Sequence, residues 1–120
     1  MSFSVPLSKT SKPLRRIASN KLLTREGITL HPLAELNDRG EVVRIITCPE
    51  PDREPYTEFY AGLLVIGLTE AAIEQLQKSR EPLTEWLPAI LTDQPLLHLV
   101  TGLNYSTLCP TPDLRIQRIR

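Results

Sequence analysis

Few side chains in this sequence can cut a bond, hold a metal or carry a thiolate. They are His31, His98, Cys48, Cys109 and the acidic run Glu50, Asp52, Glu54 and Glu58. A catalytic zinc takes three protein ligands and keeps a fourth position open for water. The spacing of the two histidines and two cysteines matches no such ligand pattern, so they read as structural or surface residues. Cys109 precedes Pro110 with no adjacent cation or helix N-terminus to lower its thiol pKa, which argues against a nucleophile. The carboxylates fall in the proline-broken stretch CPEPDREPYT, residues 48–57. This stretch lacks the oxygen-ligand pattern and the glycine of a calcium loop and reads as a solvated acidic loop. There is no Gly-rich phosphate loop and no nucleophile elbow. The sequence therefore predicts no catalytic residue, no metal ligand and no cofactor.

The elements that would have to position any site are mostly strands. Eleven prolines in 120 residues cluster where regular structure is expected to stop. Residues 14–23 read as a first strand and Thr24-Arg25-Glu26-Gly27 as a turn. Ile28, Leu30, Leu33 and Leu36 lead into Asn37-Asp38-Arg39-Gly40, followed by Val42, Val43, Ile45 and Ile46. Asn, Asp and Gly accept left-handed backbone angles, so this segment predicts a β-hairpin. Residues 58–67, EFYAGLLVIG, read as a short buried strand bracketed by glycines. Thr69 is an N-cap candidate, with Glu70 in the first turn of a helix of about 11 residues carrying Ala72, Ile73 and Leu76 on one stripe. A second short helix is expected from Pro82, limited by Pro88, with Leu83, Trp86, Leu87 and Ile90 on one side. Residues 96–100, LLHLV, form a further strand with His98 on the face opposite Leu97 and Leu99, and the alternating Leu114–Ile119 a last one.

The basic residues are unevenly placed. Residues 1–25 contain Lys9, Lys12, Arg15, Arg16, Lys21 and Arg25 and no acid, although the whole chain is neutral. Residues 1–13 are expected to be a flexible basic arm, and residues 14–120 a single β-rich domain with a helical segment at about 69–91. Arg15, Arg16, Arg115, Arg118 and Arg120 form a candidate basic patch for nucleic acid or anionic lipid. No aromatic stacking platform accompanies them, which makes nucleic acid an unfavoured partner. The N-terminus has no continuous apolar stretch of signal-peptide length, no run approaches a membrane span, and two cysteines build no disulfide framework. A reduced cytoplasmic protein is the expectation.

Two segments resemble a known family. Asn37-Asp38-Arg39-Gly40-Glu41-Val42 and Phe59-Tyr60-Ala61-Gly62-Leu63-Leu64-Val65-Ile66-Gly67 are similar to the N-terminal hairpin and following phrase of metal-dependent hydrolases of the amidohydrolase superfamily, in the cytosine- and guanine-deaminase-like branch. Leu96–Tyr105 and Leu108–Ile119 resemble the closing strands of the same enzymes. In that family the two ends pair as a small β-sandwich beside a catalytic barrel, so the resemblance implies a mainly β, α+β composite domain with a two-helix insert before the last two strands. It also implies loss of the chemistry: the positions of the metal-binding histidines read as Ala72 and Glu74. Only 28 residues separate Gly67 from Leu96, where the family has a barrel of roughly 200–250 residues.

A sandwich without its barrel must cover the exposed apolar surface in some other way, by its own helices or by another copy of the chain. Leu63, Val65, Leu76, Trp86, Leu87 and Ile90 are therefore the candidate interaction surface. The expected function is a non-catalytic protein-interaction or self-association module, with itself or another protein as partner. The alternative is an accessory subunit of a split hydrolase whose barrel is another chain, and a further one is binding of nucleic acid or lipid through the basic arm.

Overall fold

The computed structural model describes residues 15–47 and 57–120. The basic arm, Cys48 and the carboxylates Glu50, Asp52 and Glu54 lie outside the described residues.

Two hairpins form where the turn chemistry places them. Strand β2 (Lys21–Thr24) pairs antiparallel with β3 (Gly27–Leu30), and β4 (Pro32–Leu36) with β5 (Val42–Thr47). In the second turn the Asn37 Oδ1 accepts from the N–H groups of Arg39 and Glu41, each at 2.9 Å, the local bonding that suits asparagine to turns.

The expected single strands at 14–23 and 58–67 are each divided in two. β1 (Arg15–Ala18) and β6 (Thr57–Phe59) lie parallel in one sheet, while β2 and β7 (Leu63–Ile66) lie parallel in the other. Both segments therefore cross between sheets side by side. The crossing is bonded by the Tyr60 N–H to the Ala18 carbonyl at 2.9 Å and by the buried Ser19 hydroxyl, which donates to the Gly62 carbonyl at 2.7 Å. A buried backbone acceptor released from a strand ladder needs such a replacement donor.

The first sheet has strand order β5-β4-β1-β6 and the second β3-β2-β7-β8-β9, where β8 is Leu97–Asn104 and β9 is Cys109–Ile119. β8 continues past residue 100 through an irregularity between Thr101 and Leu103. β9 starts at Cys109, earlier than the strand expected over Leu114–Ile119, because an edge strand tolerates Pro110 and Pro112. Helix α1 (Glu70–Lys78) is capped as expected, the Thr69 hydroxyl accepting from the Ala72 N–H at 3.1 Å. The second helix is shorter than expected: a 3₁₀ turn at Leu83–Glu85, then the single-turn α2 (Leu87–Ile90). Pro88 has no N–H to extend the ladder across Trp86.

These elements make three layers. Ile17, Ala34, Leu36 and Val42 of the first sheet meet Leu22, Leu64, Leu97, Leu99 and Ile119 of the second. On the far face of the second sheet Leu23, Leu63, Val65 and Val100 pack against Ala72, Leu76, Leu83, Leu87 and Leu91. The fold is mainly β, two sheets with a thin helical cover, and among the described residues no helix is long and apolar enough to cross a membrane.

Candidate functional site

Of the six residues expected to form an interaction surface, four are in the core. Leu63, Val65, Leu76 and Leu87 are fully buried between the second sheet and the helical layer. This corrects the surface reading: the chain's own helices cover that sheet, so those side chains are closed to a partner. Trp86 and Ile90 remain at the boundary. Trp86 packs partly buried on the same cluster, and Ile90 is 37% exposed. With Gln75, Lys78, Ser79 and Glu81 they line an open groove of about 510 Å³ beside the end of α1. The Trp86 Nε1 is buried and has no hydrogen-bond partner among the described residues. A buried indole N–H is normally paired, so Trp86 stands out among the residues edging the groove.

The candidate basic patch is divided rather than assembled. Arg15 and Arg16 belong to the first sheet; Arg115 and Arg118 are on β9 of the second, which Arg120 follows. Arg15 forms a two-point pair with Glu58, its Nε donating to Oε2 at 2.8 Å and its Nη2 to Oε1 at 2.7 Å. Tyr60 Oη donates to the same carboxylate at 3.1 Å. The hydrogen bonds from Arg15 and then Tyr60 hold the Glu58 pKa below the usual carboxylate value, with burial opposing them. Arg16 and Arg44 flank the buried Glu35, with Nε atoms at 3.0 and 2.7 Å from its two oxygens. The two N-terminal arginines are thus already committed to carboxylates of the same sheet.

His98 faces the helical layer from β8, opposite Leu97 and Leu99 as alternation requires, and pairs in register with Val65 and Arg118. His31 lies at the β3–β4 junction with φ of +53° and is exposed. Among the described residues no group of three or more His, Cys, Asp or Glu side chains could hold a metal ion.

Sequence reasoning missed a second concavity. At the crossing of the two sheets Asn20 and Lys21 on one chain segment, Ala61, Gly62 and Leu63 on the other, and Tyr105 and Leu108 from the β8–β9 turn enclose a cavity of about 280 Å³. It owes its existence to the break of both strands at one level and to a turn more than 40 residues away. Lys21 was visible as the one charge beside an apolar Leu-Leu pair, but nothing local tells that Tyr105 comes to meet it. The Leu108 backbone is left-handed, φ +58°, an arrangement costing a leucine about 1–2 kcal/mol. It is held by the Leu108 N–H to the Asn104 carbonyl at 2.6 Å and by the Leu83 N–H to the Leu108 carbonyl at 3.0 Å.

Compared with known proteins, the chain matches no family model, no curated protein and no solved structure. The two concavities present an open groove edged by Trp86 and Ile90 and an apolar cavity with Lys21 as its one charged lining residue.

Proposed function

We propose that this chain is a non-catalytic interaction domain, resembling the accessory sandwich of metal-dependent hydrolases, and that it self-associates through the Trp86–Ile90 groove. The observation that supports the reading is Trp86, a half-buried aromatic that lines an open groove beside the exposed Ile90, the residue type enriched at interface hot spots. The rim favours a second copy as occupant. Lys78 and Glu81 carry opposite charges within one groove. In a two-fold contact residue i meets j while j meets i, so a single pairing of Lys78 with Glu81 across the axis would be made twice. With Trp86 anchored in its own core and Ile90, partly exposed, the one aliphatic among the groove's lining residues, the contact belongs to the small, transient class of interfaces.

Sedimentation equilibrium over a concentration series tests this. The expected mass rises toward twice 13.6 kDa, Ile90→Glu abolishes the rise, and Lys78→Glu weakens it until Glu81→Lys is added. A mass that stays at the monomer value throughout, or a dimer indifferent to Ile90→Glu, overturns the reading. One observation favours a second reading, an accessory subunit to a barrel on another chain. β7 and β8, from the two ends that resemble the hydrolases, are adjacent strands of one sheet. Purification from the native host with a zinc- or iron-loaded barrel chain would support that subunit role instead.

A further inference from the structure

The cavity at the sheet crossing shares no lining residue with the Trp86 groove, and self-association leaves it unused. We propose that it binds a small aliphatic carboxylate, with the chain against Ala61, Gly62 and Leu108 and the carboxylate at Lys21. Three observations point to this class of ligand. The enclosing atoms are largely apolar, with Ala61 and Gly62 contributing little bulk, so the space suits a hydrocarbon rather than a sugar or a nucleotide. The only charged lining residue is Lys21. Its Nζ makes one long contact, 3.4 Å to the Tyr105 carbonyl, and it has no carboxylate partner among the described residues. A cation at the rim of an apolar cavity selects an anion attached to an apolar body, and a carboxylate bonded to a lysine is a strong charge-assisted pair.

The third observation is strain. His31 and Leu108 are the two non-glycine residues with positive φ among those described, and both bear on this cavity. Leu108 lines it with a nearly buried side chain, and the His31 N–H bonds to the carbonyl of Asn20, which also lines it, at 3.0 Å. Backbone strain kept by the surrounding structure gathers at binding sites. Tyr105, 46% exposed, lines the cavity from the β8–β9 turn.

Two-dimensional ¹H–¹⁵N NMR titration with butanoate, hexanoate and octanoate, each beside the alcohol of equal chain length, tests the proposal. Saturable shifts are expected at Asn20, Lys21, Ala61–Leu63 and Tyr105–Leu108, with an affinity that depends on chain length and exceeds that of the alcohol. Lys21→Met keeps the aliphatic stem and the fold, verified by an unchanged spectrum elsewhere. It is expected to weaken the carboxylate by roughly tenfold or more while leaving the alcohol as it was. Ala61→Trp, filling the opening from an exposed position, is expected to abolish both. Absence of saturable shifts at millimolar ligand, shifts located elsewhere, or equal carboxylate binding by Lys21→Met would each overturn the assignment. The titration is repeated in the Ile90→Glu background, so that failure of the dimer and failure of this site read separately.

Discussion

His98 is held where its charged form is disfavoured. It is 7% exposed, its Nδ1 has no hydrogen-bond partner among the described residues, and Arg118 sits beside it across the strand pair. Burial first, and then the positive charge of Arg118, push its pKa below the ordinary 6.5. The unfolded chain protonates this residue near that ordinary value, whereas the folded chain resists protonation until the pH is lower. In the interval the unfolded state binds more protons, so stability is fully present above about pH 6.5 and declines as the pH falls through the interval. Urea unfolding from pH 7.5 down to pH 5 should show this decline, and His98→Gln should flatten it over that range. A parallel slope in the variant would assign the effect elsewhere. Glu58 acts in a separate window, because its lowered pKa gives stability above the ordinary carboxylate value that is lost at more acid pH. Its side chain is 42% exposed, so the contribution belongs with surface pairs at about 1 kcal/mol or less.

At the scale of elements, the helical layer is attached to the second sheet at Gly67. Its carbonyl accepts from the Thr92 N–H at 3.0 Å and the Thr92 hydroxyl at 3.2 Å, and its N–H reaches the Leu96 carbonyl. The backbone there has φ of +91°, and an added Cβ would strike the backbone of Thr92. Gly27, in the β2–β3 turn, has φ of +114° but open space around it. Gly67→Ala is therefore expected to cost about 2–4 kcal/mol, strain plus collision, and Gly27→Ala about 1 kcal/mol, strain alone. Equal shifts in urea midpoint would show that the close approach at Thr92 contributes nothing. The same contrast describes what could be read beforehand. The Asn37–Gly40 hairpin, the Thr69 cap and the β8 alternation around His98 were legible because each depends on residues within a few positions of one another. The division of 14–23 and 58–67 was not, because it depends on the Ser19 hydroxyl finding the Gly62 carbonyl, 43 residues away. For the same reason Leu63, Val65, Leu76 and Leu87 were recognised as apolar, while their closure under the chain's own helices was not. Trp86 and Ile90 lie at the boundary of that layer, and the Lys21 cavity was not foreseen.

At the scale of the whole molecule, the second sheet is buried on both faces and the first is not equivalently covered. Leu64, Leu97 and Leu99 point to the first sheet; Leu63, Val65 and Val100 point to the helices. Strands β7 and β8 therefore lose their ladder bonds only when two interfaces separate. β3 is a four-residue edge strand with Ile28 and Leu30 exposed and can open alone. The helical layer lies between these cases. It rests on one sheet face through a 9-residue helix and one further turn, with the Gly67–Thr92 bonds at its base. Amide exchange should follow that order, β3 first, α1 next, and β7 with β8 last and only by global unfolding. Peptide-resolved exchange mass spectrometry checks it, and equal protection of α1 and β8 would mean that the helices and the sheet unfold as one unit. The order bears on the groove, because Trp86 belongs to the separable layer. A second copy seated there couples its binding to that layer's opening, so protection of α1 and α2 should rise with protein concentration while β7 and β8 stay unchanged. A rise shared by all elements would place the contact on the sandwich itself, and no rise would separate the groove from self-association.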